Sequence, residues 1–310
     1  MTSPPRYAGI MQIDELRSLI LRHARPDGST PVEGVMIARH DASEHEFATS
    51  GTVMALIAQG EKRIALGERV YRYGVGQYLV ASIDLPITGQ FVGATPEHPA
   101  LGFGMLLHPP SIAELLLQAG SGSARRAAGA PPSSMMVSDA PAELLDAVLR
   151  LVRLLDRPRD LDVLAPLIKR EILWWLIVGD QGAAVRQLGL ADSSLSHVAR
   201  AVRWIREHYS RSFRVEEVAE VCGMSASAFY RNFQAVTAMS PIQFQKQIRL
   251  QEARLQLVAH PDDVAGVGFR VGYESPSQFS REYRRQFGAP PSLDAERLRG
   301  LTTGAAPAVV

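Results

Sequence analysis

The strongest constraint on this chain is a pattern written twice in its last third. VEEVAEVCGMSASAFYRNF runs from Val215 to Phe233, and VAGVGFRVGYESPSQFSREY from Val264 to Tyr283. In the first copy Val215, Val218, Ala219 and Cys222 stand at i, i+3, i+4 and i+7; in the second Val264, Val267, Gly268 and Val271 repeat this 49 positions later. That spacing is one buried stripe of a helix. Gly223 and Gly272 come next, and glycine is the residue that most easily takes the left-handed conformation ending a helix. A second helix then opens on a Ser or Ser-Pro cap and buries Phe229 with Phe233, or Phe279 with Tyr283. Small residues at Ala219 and Gly268 let the two helices of each copy cross closely. Helix, glycine turn, helix is the helix-turn-helix unit, here in two copies.

Between the copies, residues 241 to 258 read as a connecting helix with two apolar faces. Leu250, Ala253 and Leu257 line one; Phe244, Ile248 and Leu255 line the other. Such a helix is roughly 27 Å long at 1.5 Å per residue. Successive major grooves on one face of DNA lie about 34 Å apart, so a spacer near that length suits two reading helices. Charge agrees. Residues 197–299 hold 15 basic against 11 acidic side chains, whereas the rest of the chain holds 18 against 21. A basic excess in one segment points to a polyanion partner.

The front half is of another kind. Short apolar runs at 53–58, 63–66, 70–74, 77–83 and 101–107 are separated by Gly, Asp or Pro, which suggests an antiparallel sandwich or barrel. Ahead of them, Ile13, Leu16, Leu19, Ile20 and His23 mark one helix. Another is expected from Ser111 to Ala119, with Ser111 as N-cap and Glu114 completing a capping box. Residues 120–134, rich in Gly, Ser, Ala and Pro, read as a surface loop. Two strong helices follow within 141–156 and 163–178. The second carries apolar residues over much of its circumference, so Ile172, Trp174, Trp175 and Leu176 must be covered by the domain itself or by a second subunit. The polar stretch 180–196 reads as an interdomain linker. The longest purely apolar run, Ile172 to Val178, falls far short of the roughly 20 residues that span a bilayer. The N-terminus does not read as a secretory signal, and Cys222 is the only cysteine, so intrachain disulfides are excluded. A cytoplasmic protein is expected.

The C-terminal segment resembles the DNA-binding domain of the AraC/XylS family of bacterial transcription regulators. The likeness is carried by Trp204 and Ile205, Val218-Ala219 with Gly223-Met224-Ser225, Phe229 with Phe233, Ser240-Pro241, Phe244, Arg249-Leu250 and Ala253. It continues through Gly268-Phe269, Val271-Gly272-Tyr273, Phe279-Ser280-Arg281, Tyr283 and Phe287-Gly288. Three departures stand out: Ala238 where the family often has Gly, Gly268 for a usual Ala, and Pro290-Pro291 for Ser-Pro. Gly268 should weaken its helix by up to about 1 kcal/mol. The front half, through EFATSGTVMALIAQGEKRIALG, YRYGVGQYLVASIDLPITGQ and ILWWLIVGDQGAAVRQL, is similar to the N-terminal domain of one subgroup of these regulators.

The resemblance implies an α+β chain: an N-terminal antiparallel β cupin-like barrel with helices, then an all-α domain of two helix-turn-helix units joined by a linker helix. The expected divisions are 1–140 (sensory), 141–180 (dimerising helices), 181–196 (linker), 197–299 (DNA-binding) and 300–310 (disordered tail). Base contacts are expected from the stripe facing away from the buried aromatics: Ser227, Tyr230 and Arg231 in the first unit, Ser277, Gln278, Ser280 and Arg281 in the second. Arg pairs bidentately with guanine and Gln with adenine. Arg203, Arg270, Arg284 and Arg285 are assigned to phosphates, which position without specifying. Expected partners are double-stranded promoter or operator DNA, a second copy of the chain, RNA polymerase, and a small-molecule effector of unidentified chemistry; no cofactor and no membrane are expected. His40, Asp41, Glu44, His45 and Glu46 invite a metal, but their spacing favours a solvated turn. His98 and His108, each beside a proline, look like turn residues. Tyr71, Tyr73, Tyr78 and Phe91 suit a pocket lining or core packing equally. The competing reading is a cupin-type enzyme whose C-terminal helices serve assembly; the missing His-x-His metal ligands of a cupin and the doubled reading helices weigh against it.

Overall fold

The structure is a computed structural model that describes residues 5–43, 45–119, 133–190 and 193–302. It divides into two compact units, one running to Ser196 and the other beginning at His197.

The first unit opens with α1 (Pro5–His23) and then forms nine strands: β1 (Val35–His40), β2 (His45–Thr49), β3 (Val53–Gln59), β4 (Glu61–Leu66), β5 (Arg69–Gly74), β6 (Gln77–Ala81), β7 (Pro86–Val92), β8 (Ala100–Leu106) and β9 (Met135–Asp139). They pair antiparallel in two sheets, ordered β1-β8-β3-β6-β9 and β2-β7-β4-β5. Four helices complete the unit: α2 (Pro109–Gln118), α3 (Ala142–Arg153), α4 (Leu161–Val178) and α5 (Gly182–Leu188). The central strands β3 and β8 are apolar without alternation because both faces are covered. On one face Met54, Leu56, Phe103 and Met105 join Leu16 and Ile20 of α1, Leu144 and Val148 of α3, and Ile172 and Leu176 of α4 in one core. The other face has small residues near its centre, with Ala38 opposite Gly102 and Ala55 opposite Gly104. It looks toward the second sheet: His40 of β1 stacks on Phe91 of β7 with ring centroids 4.2 Å apart.

Several expectations change. Helix α2 starts two residues early, at Pro109, with His108 as an N-cap that makes no side-chain bond. Two prolines suit that first turn because its N–H groups have no intrahelical acceptor. The expected linker at 181–196 holds α5, whose Ala184 and Val185 are buried. Ile172 and Leu176 are not an outward surface; both are fully buried in their own unit. The apolar residues that α4 does expose are Val163, Leu164, Leu167 and Val178. The loop expected at 120–134 lies, apart from its last two residues, outside the described residues. So does the expected tail at 300–310, except that residues 300–302 belong to the last helix.

The two ends of the solvated turn expected at 39–46 belong instead to β1 and β2, which lie in different sheets, and Glu44 is outside the described residues. Asp41 pairs outward with Arg39 at 2.8 Å, whereas His40 and Glu46 turn inward. Glu46 Oε1 lies 3.2 Å from His40 Nδ1, and Glu46 Oε2 lies 3.8 Å from the ammonium of Lys62 on β4. Lys62 is only 3% exposed, and its ammonium sits 4.4 Å above the Phe91 ring. Tyr73, opposite Lys62 on β5, is buried in the same layer. Side chains from five strands thus fill this layer. Among the described residues no group of three or more His, Cys, Asp or Glu side chains is placed to hold a metal, and no helix is long and apolar enough to cross a membrane.

The second unit is helical throughout its described residues: α6 (Ser194–Glu207), which begins just ahead of it, then α7 (Val215–Val221), α8 (Ala226–Thr237), α9 (Pro241–Ala259), α10 (Val264–Arg270), α11 (Pro276–Phe287) and α12 (Pro291–Thr302). Of the expected faces of α9, Phe244, Ile248, Leu250, Ala253 and Leu257 are buried, but Leu255 points to solvent.

Burial, with the nearby Lys62 charge second, holds the His40 imidazole down at about 4. The unfolded chain takes up this proton near pH 6.5, whereas the folded one refuses it until about pH 4, so the stability present above pH 6.5 drains away as pH falls through that window. The loss should be on the order of 3 kcal/mol. Urea unfolding at stepped pH, read from Trp174 and Trp175 in a Trp204→Phe background, will show it, and His40→Gln should remove most of the slope.

Candidate nucleic-acid interface

The second helix of each unit is aimed by a backbone turn. Helix α7 ends at Cys222, and Gly223 follows with φ of 68°. The N–H of Met224 then reaches back to the Ala219 carbonyl at 2.9 Å, satisfying an end-of-helix oxygen. In the second unit Gly272 has φ of 95°, and the Tyr273 N–H donates to the Gly268 carbonyl at 3.0 Å. Serine caps start the next helices. The hydroxyl of Ser225 accepts from the Ala228 N–H at 3.3 Å, and that of Ser275 from the Gln278 N–H at 3.4 Å. Phe229 and Phe233 are fully buried in the first unit, Phe279 and Tyr283 in the second.

Positions 231 and 281 follow the first buried aromatic of each helix by two residues, about 200° around the axis, and so face outward. Arg231 and Arg281 are exposed there, together with Ser227 and Tyr230 on α8 and Ser277 and Gln278 on α11; Ser280 is half-buried. Arg203 on α6 is exposed, as are Arg284 and Arg285 in the last turn of α11. Arg270 is engaged already: its guanidinium donates to the Asp263 carboxylate at 2.8 Å and to Gln256 Oε1 at 3.1 Å.

The repeat runs further than the two motifs. Helix α9 starts at Pro241 and α12 at Pro291, again 50 positions apart. In the first unit Phe244 of α9 packs edge-on against Phe233 at 5.5 Å. The corresponding residues in the second unit are Asp294 and Tyr283, and the Tyr283 hydroxyl donates to Asp294 at 2.8 Å. Asp294 is only 2% exposed and is held by Arg254 of α9 through bonds of 2.8 and 3.2 Å. Burial pushes the Tyr283 phenol well above its usual range, and the Asp294 charge adds to the shift. A second polar brace joins Glu282 of α11 to Lys246 of α9 at 2.9 Å and to the Tyr273 hydroxyl at 2.9 Å. Helix α12 and both braces were missed in the sequence. The available signal was the tyrosine at 283, because a buried phenol needs a hydrogen-bond partner.

Gly268 also gains a physical reason. A Cβ built there would lie 3.0 Å from the Phe279 ring, so the aromatic packs directly against the backbone of α10.

Comparison with known proteins agrees with this geometry. Residues 31–184 match the family described as AraC-type transcriptional regulator N-terminus, and residues 218–297 match a helix-turn-helix domain family. Together these cover about three quarters of the chain. The virulence regulon transcriptional activator VirF of Yersinia enterocolitica is 27% identical over 179 residues, 56% of this chain and 64% of that protein. The transcriptional activator RhaS of Klebsiella pneumoniae is 29% identical over 122 residues, 38% of this chain and 42% of that protein. These matches therefore span less than two thirds of either relative. Among solved structures, fatty-acid-bound ToxT from Vibrio cholerae superposes with a TM-score of 0.55 at 9% identity, covering 90% of this chain and 100% of that one. An apo ToxT variant gives 0.52 at 8% identity, covering 87% and 98%. At such identities the likeness establishes the fold: antiparallel sheets followed by a helical domain.

Helix α8 ends on Ala238, whose φ of 59° is the one left-handed value at a non-glycine among the described residues. Its counterpart 50 positions on is Gly288, with φ of 79°. A side chain in that conformation costs roughly 1–2 kcal/mol, partly offset in a glycine variant by the looser unfolded chain. Ala238→Gly should therefore stabilise the C-terminal unit by about 0.5–1 kcal/mol, read as a higher urea midpoint for its transition.

Proposed function

This chain belongs to the AraC/XylS family of transcriptional regulators, and on that premise we propose that it binds promoter or operator DNA by placing α8 and α11 in successive major grooves. The observation that carries the reading is the doubled unit itself: two glycine turns, two serine caps and two outward arginines, joined by one continuous helix. Ser227, Tyr230, Arg231, Ser277, Gln278, Ser280 and Arg281 read bases. Arg203, Arg284, Arg285 and, from its place beside Asp263, Arg270 meet phosphates. The N-terminal unit receives a small-molecule effector, and RNA polymerase is the partner through which binding acts on transcription. An enzymatic role is not proposed, since the family is one of regulators.

The regulator works as a homodimer. Support comes from α4, which exposes Val163 and Leu167 one turn apart, at 68% and 61%, with Leu164 and Val178 along the same helix. Contiguous apolar side chains on a helix call for a cover, and a second copy offers the same stripe in return. Dimerisation raises the effective concentration of the second DNA-binding unit once the first is bound. Leu167→Glu should leave the chain folded but monomeric in sedimentation at micromolar concentration. A dimer unchanged by that substitution would move the interface elsewhere.

Selection of bound genomic fragments by the purified protein tests the reading directly and supplies an operator. On that operator Arg231→Ala and Arg281→Ala should each cost about 1–3 kcal/mol and relax preference at particular bases. Arg284→Ala should weaken all sequences alike and lower the salt slope by about one. Competition binding against a randomised operator compares the three. Unchanged base preference in both Arg231→Ala and Arg281→Ala would overturn the assignment of α8 and α11 as readers.

A further inference from the structure

Two reading units select one box spacing only if the angle and distance between them are held. A connecting helix does not achieve this alone, because each unit can rock about its end of the helix. The structure contains a tie that removes this freedom. Helix α6 is locked onto the first unit: His197 Nδ1 lies 2.6 Å from the Cys222 carbonyl oxygen, and the Trp204 ring meets Phe213 edge-on at 5.5 Å. Beyond the end of α6 at Glu207, the turn at residues 208–210 presents backbone carbonyls that need donors. Arg249, in the middle of α9, supplies them. Its Nε donates to the Tyr209 carbonyl at 2.6 Å and its Nη2 to the Ser210 carbonyl at 3.2 Å. The third nitrogen turns the other way: Nη1 donates to the Gly272 carbonyl at 2.8 Å, in the turn of the second unit.

The two units also touch at this point. A Cβ on Gly272 would fall 2.0 Å from the Ser210 oxygen, so backbone meets backbone across the junction. One planar guanidinium thus bridges three main-chain oxygens in two segments, a task that its fixed fork of donors performs and a single ammonium does not. Gln245, one turn earlier on α9, bonds the Tyr209 and Arg211 carbonyls at 2.9 and 2.6 Å, on the first-unit side only.

We infer that Arg249 is a positioning residue that sets the separation and angle of the two reading helices, and hence the box spacing the protein accepts. The inference rests on the DNA reading proposed above and concerns geometry, not base identity.

The test uses the full chain and an operator obtained by selection. It compares single-box fragments, the two-box operator, and two-box DNA with one or two base pairs inserted or removed between the boxes. Wild-type protein should lose about tenfold or more in affinity when the spacing is altered. In Arg249→Lys that penalty should shrink to about threefold or less, while single-box binding stays within about twofold of wild type. Gln245→Met, which loosens α9 from α6 but leaves the Gly272 bond, should keep the wild-type spacing profile. Thermal melts accompany each variant, and Arg249→Gln takes the place of Arg249→Lys should the latter not fold. A full spacing penalty in the arginine variants overturns the inference, as does equal loss on single-box and two-box DNA, or a flattened profile in Gln245→Met. Failure of the wild type to prefer any sequence overturns the DNA reading itself, a result distinct from all of these.

Discussion

Everything the C-terminal unit presents to the outside depends on two backbone turns that run left-handed. At Gly223 and Gly272 the chain reverses out of one helix and into the next while the following N–H reaches back to a helix-end carbonyl. The turn fixes where the capping serine falls, and the cap fixes the rotational phase of the helix that follows. From that phase follows which residues point inward as aromatics and which point outward as arginines. A Cβ at either glycine would oppose the turn. At Gly272 the constraint is doubled, because the Ser210 oxygen already occupies the space a side chain would need.

The two units share a plan and both pack aromatic rings along their second helix, but they differ in how that helix meets the one after it. The first relies on ring packing, Phe229 with Phe233 and Phe233 with Phe244. The second substitutes a hydroxyl and a carboxylate at the corresponding places and must then satisfy both in a buried setting. Arg254 does so, at the cost of stripping water from a charge. Such a network need not be more stable than the rings it replaces. Its hydrogen bonds are directional, however, so it leaves α11 fewer ways to sit on α9 and α12 than apolar contact alone would.

This contrast explains what could be read from the sequence. The helix-turn-helix units were legible because glycine, serine and aromatic spacing are local signals, each with a mechanical reason. Helix α12 was not, because only a few of its residues, Asp294 and Ala295 among them, face the core, and an aspartate does not announce burial. Comparing Pro241 with Pro291 would have extended the repeat to it. In the first unit, strands with apolar runs were found, but β1, β2, β7 and β9 were missed. The inward group of His40, Glu46 and Lys62 comes from three strands whose meeting depends on register, which no local pattern encodes. Helix α4 was ambiguous for the opposite reason. An apolar circumference says that the helix is covered, without saying by what, and Ile172 and Leu176 prove to be covered by their own sheet and helices.

The junction between the two helix-turn-helix units is written almost entirely in main-chain oxygens. Arg249 grips the carbonyls of residues 209, 210 and 272, atoms that every amino acid possesses. The side chains of Ser210 and Arg211 are exposed and can change without altering what the guanidinium holds. One arginine and one glycine therefore carry the link from one unit to the other, with Gln245 holding the first-unit side of the loop. A scaffold joined in this way can have the outward faces of its two units changed one at a time while the joint between them keeps its shape.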